Sequence, residues 1–271
     1  MQDTLSLLVL VAVSGGLAGI ISGLLGVGGG IILVPAFFHV FTTLGYHPDQ
    51  LMQICVATST GTIIFTSLRS VMAHHRRGAV SVELIRGWGP FIALGAVAGV
   101  FAAAALRSRE LQLVFGCIGV SLGLYMAFGR RHWRLSDTLP GRALSGVYGA
   151  TIGFLSALMG IGGGSFTVPL LTAYGVAPHR AVATSPGFGL LISVPAFATF
   201  LLTGWHVAGK PPFTYGYVNL PAVVLIVLTT MLTVPLGVRL AHRLTPAQLR
   251  VVFAVTLLLL AGNMLRKGIT G

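Results

Sequence analysis

Acidic side chains are almost missing from this chain: its 271 residues hold five Asp and Glu against 17 Lys and Arg. All five acids, Asp3, Asp49, Glu83, Glu110 and Asp137, fall between apolar segments or at their ends. That excludes a carboxylate proton relay at mid-membrane and disfavours a Na⁺ site built on carboxylates. Charge of either sign is scarce, at 8% of residues, where soluble domains carry about a quarter. With a mean hydropathy of +0.91 and apolar runs such as 91–106 and 251–260, a soluble globule and a disordered chain are both excluded. The composition is that of an all-α polytopic membrane protein.

Cysteine is reduced to two, Cys55 and Cys117, each in an apolar stretch without partner spacing. No disulfide framework is expected. No Cys, His or carboxylate cluster has metal-ligand spacing, and no nucleophile–base pair can be assembled. The expectation is therefore no catalytic residue, no metal, no cofactor and no enzyme. The net charge of +12 does not point to nucleic acid, because the basic residues sit in short clusters between apolar segments. That is the distribution of the positive-inside rule. No basic region precedes the first apolar run, where Asp3 is the only charge, so a cleavable signal peptide is not expected.

Glycine, by contrast, is abundant, and its placement reveals a duplication. Leu24-Leu25-Gly26-Val27-Gly28-Gly29-Gly30 matches Leu158-Met159-Gly160-Ile161-Gly162-Gly163-Gly164 at an offset of 134 residues, which also pairs Pro35 with Pro169. Further on, Ala57-Thr58-Ser59 and Gly61 match Ala183-Thr184-Ser185 and Gly187, at an offset of 126. Near the end Leu106, Leu111 and Phe115 match Leu244, Leu249 and Phe253. Residues 1–128 and 143–271 are thus two transmembrane repeats, joined by a basic linker at 129–142.

Breakers and charges divide each half into five helical elements. These are expected near 5–24, 30–46, 51–73, 87–106 and 111–128, then near 143–160, 164–176, 181–203, 216–241 and 247–265. A single straight helix over 5–46 would be about 63 Å long at 1.5 Å per residue, twice the ~30 Å hydrocarbon core. The chain must turn back at the glycine loop, by two crossings or by re-entry. Either way each half has odd crossing parity and the second half is inverted relative to the first, with the Gly-broken helices meeting at the midplane.

Arg76, Arg77 and Arg86 of one connection and Arg130, Arg131, Arg134 and Arg142 of the linker fall on the same side by this parity. The opposite connection offers Arg107 and Arg109, offset by Glu110. The richer side is assigned to the cytoplasm, which leaves both termini periplasmic.

The glycine loops are the sharpest candidate site. Neither a dinucleotide fingerprint nor a Walker A loop survives, since no strand precedes Gly-x-Gly-Gly-Gly and no Gly-Lys-Ser/Thr occurs. The loops offer unwound backbone opening into a helix, where free N–H groups and the positive dipole end favour anions. Gly28, Gly29, Gly30, Gly162, Gly163 and Gly164 are the substrate-binding candidates on this reading; close helix packing is the alternative. Pro35 and Pro169 deprive the carbonyls of Ile31 and Ser165 of their helical donors, and Pro186 does the same for Val182. Thr58, Ser59, Thr184 and Ser185 supply hydroxyls that suit an oxyanion or, equally, glue between helices. Gly15-x₃-Gly19 and Gly149-x₃-Gly153 serve packing. His39 is a candidate proton carrier without a twin, since Ala173 takes the matching place. Arg69 and Arg180 either attract anions or snorkel at the interface.

The duplicated Gly-x-Gly-Gly-Gly-x₄-Pro at 26–35 and 160–169, with the following Ala-Thr-Ser, resembles the TauE/SafE sulfite-exporter-like permeases over essentially the whole chain. The resemblance implies a permease of the bacterial inner membrane for small anions, chiefly sulfite or organosulfonates such as sulfoacetate. It also implies that the glycine loops and Thr-Ser pairs line the path. The first half departs from the pattern, with Gln50-Leu51-Met52 where the second copy has His179-Arg180. A small-carboxylate permease and an anion channel are the competing readings. H⁺ or Na⁺ is the expected coupling ion, the lipid bilayer the surroundings, and a homo-oligomer is compatible with the sequence.

Overall fold

The computed structural model describes residues 12–20, 29–128, 135–136, 138–241 and 246–270. Helices dominate: α1 at 12–20, α2 Gly30–Thr43, α3 Leu51–His75, α4 Val82–Ala105 and α5 Ser108–Phe128 in the first half. The second half contributes α6 Arg142–Met159, α7 Gly164–Ala173, α8 Pro178–Leu202, α9 Leu220–Ala241 and α10 Pro246–Thr270. Strands β1 Thr214–Tyr215 and β2 Val218–Asn219 form a small antiparallel hairpin ahead of α9. Six of these helices, α3, α4, α5, α8, α9 and α10, contain stretches long and apolar enough to cross a membrane.

Glycine sets where several helices stop. α6 ends on Gly160, whose left-handed φ of 60° closes the turn while Ile161 N–H reaches back to the Ser156 carbonyl at 3.0 Å. α7 ends in the same way, with Gly175 at φ 77° and Val176 N–H on the Leu171 carbonyl at 3.0 Å. A side chain at such a φ is strained, so glycine is the residue that permits the reversal.

α2 and α7 end three residues before the expected 46 and 176, at Thr43 and Ala173, and α5 starts at Ser108 rather than 111; four further differences have local causes. The fourth element starts at Val82, not 87, because Ser81 is extended and Glu83 suits a first helical turn, so Arg86 lies inside a helix. α8 starts at Pro178 rather than 181, with proline in its first turn. α9 starts at Leu220 rather than 216, since the hairpin and Gly216 at φ 54° occupy the preceding residues. α10 runs on to Thr270 instead of 265.

Helices α3 and α8 lie side by side at the centre, α3 buried at every residue from Leu51 to Ile63. Around them α4 packs on α6 and α5 on α10, while α2 and α7 lean on α3 and α8 respectively. The α4–α6 contact is backbone against backbone. A β-carbon on Gly95 would strike the Ala150 carbonyl, and one on Gly153 the Ile92 carbonyl. α1 and α9 meet through the same chemistry: Gly15 and Gly19 face Thr229, Thr230 and Thr233, and Gly237 faces the Ile20 carbonyl. The packing role expected of Gly15, Gly19, Gly149 and Gly153 is therefore present. Where lipid replaces water, such close approach is the main source of helix association.

The second half also resolves its own turn. Arg142 and Ser145 at the start of α6 line the same cavity as Gly175 and Val176 just past α7, so the chain returns to the end it left. Ten residues of α7 span about 15 Å, half of a ~30 Å hydrocarbon core. The α6–α7 pair is a hairpin whose return helix is shorter than the outgoing one.

Candidate functional site

The two glycine loops touch. A β-carbon on Gly30, the first residue of α2, would fall on the carbonyl oxygen of Gly160 and 3.0 Å from the Ile161 Cα. Gly160 in turn sits against the Val56 backbone of α3. Gly29, at φ 76°, precedes Gly30 as the N-cap of α2. Gly28 lies outside the described residues. Both short helices run through their prolines, Pro35 and Pro169.

The four hydroxyls of the Ala-Thr-Ser motifs are buried and engaged with backbone. Ser59 Oγ donates to the Gly160 carbonyl at 2.9 Å, so α3 braces the second loop. Ser185 Oγ donates to the Val182 carbonyl at 3.0 Å, the carbonyl that Pro186 leaves without a helical donor. Thr58 Oγ1 accepts the Asn219 N–H at 3.1 Å, and Thr184 Oγ1 accepts the Ser81 N–H at 3.0 Å. Asn219 and Ser81 each precede the fourth helix of the opposite half. Each threonine thus ties its central helix to the start of a helix in the other repeat. Thr184 also donates to the Arg180 carbonyl at 2.7 Å.

The unpaired donors lie one layer further in. Among the described residues, the N–H groups of Gly162, Gly163, Gly164 and Ser165 make no hydrogen bond; the ladder of α7 begins with Phe166 and Thr167 on the Gly163 carbonyl. Ser165 is 2% exposed, and its hydroxyl has no partner. Ser193 on α8, fully buried, is in the same position. Beside the loop, a β-carbon on Gly189 would lie 2.6 Å from Ser67 Oγ and 3.9 Å from the Gly163 nitrogen. Missing a side chain, Gly189 leaves Ser67 of α3 and the loop N–H facing a common point. Buried donors without partners cost about 1–3 kcal/mol each, so this cluster has hydrogen-bonding capacity that the described protein groups do not use.

Ser165, Ser67, Ser193 and Gly189 escaped the motif-based reading, which followed identical residues between the repeats. Ser165 was visible as a broken identity, since Ile31 stands at the matching place. Ser67 and Ser193 do match at the offset of 126, but isolated serines gave no motif.

The remaining candidates are spread out. His39 is exposed on α2. Arg69 is exposed near the end of α3, with Nη1 3.3 Å from Met231 Sδ of α9. Arg180 lines a cavity at the end where α4, α6 and α8 begin. At the offset of 126 that pairs Thr58 with Thr184, Arg180 stands opposite Ile54, which is buried, and not opposite Leu51 or Met52. Among the described residues, no group of three or more His, Cys, Asp or Glu is placed to hold a metal ion.

Among the described residues, six long apolar helices surround a junction whose loop N–H groups and buried hydroxyls are left without partners. The sulfite exporter TauE/SafE family profile matches residues 11–264, and the chain is a member of that family. A probable membrane transporter protein of Haemophilus influenzae is 32% identical over 254 residues, covering 93% of this chain and 96% of the relative. One from Methanocaldococcus jannaschii is 27% identical over 261 residues and 93% of each chain. The probable membrane transporter protein YunE of Bacillus subtilis is 29% identical over 219 residues, 72% of this chain and 79% of its own length. No solved structure matches the chain.

Proposed function

We propose that this transporter carries small oxyanions, sulfite or an organosulfonate such as sulfoacetate, by a secondary mechanism driven by H⁺ or Na⁺ across a bacterial inner membrane. The observation that carries the reading is the start of α7: four consecutive unpaired N–H groups joined by the buried, unpartnered Ser165 hydroxyl. Helix N-termini favour anions through these groups and the dipole. The site is neutral, so an anion is attracted without the tight hold that a buried arginine would impose. The name of the family supports sulfite as the type substrate.

In this reading the repeats are inverted about an axis in the membrane plane, the loop contact lies near mid-membrane and both termini are periplasmic. The reciprocal threonine ties and the pairing of α5 with α10 and α3 with α8 support that arrangement, because each links equivalent parts of the two halves. Residues 1–128 and 143–271 are the two repeats so related, joined by the linker at 129–142.

The test is counterflow in proteoliposomes, with labelled sulfite and sulfoacetate outside and unlabelled anion trapped inside. Saturable, transient accumulation is expected, with choline and sugars inert. Ser165→Ala should weaken half-saturation about tenfold, the worth of one hydrogen bond to a charged group. Non-saturable flux without accumulation would identify a channel instead, and accumulation confined to carboxylates would replace the substrate class.

A further inference from the structure

Three arginines from three different helices converge on one cavity. It encloses about 660 Å³ and is lined by the beginnings of α4, α6 and α8. Arg86 stands in the second turn of α4, Arg142 is the first residue of α6 and Arg180 the third of α8. Glu83 is the one carboxylate among the lining residues, so the cavity keeps an excess of two positive charges. Among the described residues none of the three guanidinium groups has a hydrogen-bond or ion-pair partner. Trp88 and Phe91 provide an apolar wall.

This placement is unfavourable for the protein alone. The start of a helix carries the positive end of its dipole and disfavours a cation there. Here α6 and α8 bear a guanidinium in the first turn and α4 one just beyond it, all turned to the same space. Orientation by the positive-inside rule asks for basic residues at one end of the molecule; it does not ask that they share a cavity. Among the described residues the equivalent place, built from the opposite elements of each repeat, has no such set. Taking Ser81 and Asn219 as equivalent, from their matching bonds to Thr184 and Thr58, Val224 replaces Arg86 and Ile54 replaces Arg180.

We propose that this cavity is a second anion site, distinct from the glycine-loop junction, that binds a phosphate-class oxyanion through Arg86, Arg142 and Arg180. Arginine suits the role because its planar fork matches phosphate oxygens two at a time. Trp88 and Phe91 accommodate whatever apolar body the oxyanion carries. Basic pockets between membrane helices take lipid headgroups by this chemistry, and a free organic phosphate would use the same contacts.

Purified full-length protein in a zwitterionic detergent, titrated with inorganic phosphate by calorimetry, tests the proposal. Short-chain phosphatidylglycerol and phosphatidylcholine serve as competitors. Saturable phosphate binding is expected, weakened about tenfold by R142Q or R180Q and more by the triple variant R86Q/R142Q/R180Q, with melting temperature unchanged. E83Q should strengthen binding, an opposite sign that a merely structural role would not produce. Competition by phosphatidylglycerol but not phosphatidylcholine assigns the oxyanion to lipid; indifference to both assigns it to a soluble phosphate. Phosphate binding equal in wild type and triple variant, or none at millimolar concentration, overturns the site.

Discussion

The two ends of the molecule are built on the same backbone device and furnished differently. At one end Thr184 holds the start of α4, at the other Thr58 holds the start of α9, each by a single N–H bond near 3 Å. Around Thr184 the connection from α3 to α4 is six residues, 76–81, and three arginines stand open. Around Thr58 the connection from α8 to α9 takes seventeen, 203–219, and is a tied cap. Lys210 there donates to the Gly204 and Gly216 carbonyls at 3.1 and 3.3 Å, with Trp205 and Tyr215 packed edge to face beside it. The lone cation of this cap is spent on its own backbone, while those of the opposite end are unpaired. The hydrogen bonds that join the halves correspond while the surrounding side chains differ, so the two ends present different surfaces.

The largest effect is expected where the two halves touch without side chains. Gly30→Val places its β-carbon on the Gly160 carbonyl, and overpacking of this kind costs about 3 kcal/mol. Thermal melting in detergent should fall by several degrees; an unchanged melting point would mean the loops are not in contact.

Next comes a contrast between two serines of the junction. Ser59→Ala strips the Gly160 carbonyl of its donor and should cost about 2 kcal/mol of stability. Ser165→Ala removes a hydroxyl that has no protein partner and should leave melting unchanged or raised, its cost appearing in substrate half-saturation. If both variants melt alike, the division between bracing and ligand-facing serines fails.

Thr58→Val and Thr184→Val sharpen the comparison of the ends. Each leaves one buried backbone N–H unpaired, for about 1–2 kcal/mol, and the two losses should be of similar size by denaturant or thermal titration. Unequal losses would show that the ties are equivalent in geometry alone.

The smallest effect belongs to the cap. Lys210→Met loses two carbonyl contacts at a partly exposed site, roughly 0.5–1 kcal/mol in all. Hydrogen exchange should quicken across 203–219 and nowhere else.

Much of this was readable in order along the chain. Helix limits followed glycine and proline, and the repeat predicted which segments correspond. The sequence pattern also pointed to a reversal at the glycine loops, because a straight helix over 5–46 would be about twice the depth of the hydrocarbon core and the second half repeats that stretch. The site was legible only in outline. Identity between repeats picked out Thr58, Ser59, Thr184 and Ser185, and the fold uses those hydroxyls to hold backbone. Among the described residues the unpartnered buried hydroxyls are Ser156, Ser165 and Ser193, and Ser165, at the start of α7, stands where the repeats differ. A motif search cannot separate the two cases, since a hydroxyl that braces and one that waits for a ligand look the same in one dimension.

By itself the sequence determined the class of the molecule, its duplication and the places where backbone must break, because hydropathy, offset and the conformational limits of glycine and proline are local properties. Only the tertiary structure decided which donors are left over. Whether an N–H or a hydroxyl is free depends on what lies within about 3 Å of it, and here those neighbours come from the opposite half of the chain: Gly160 for Ser59, Asn219 for Thr58, Ser81 for Thr184. The convergence of Arg86, Arg142 and Arg180 is of the same kind. Nearly a hundred residues separate the first from the last, and only the packing of α4 against α6 and α8 brings their charges into one space.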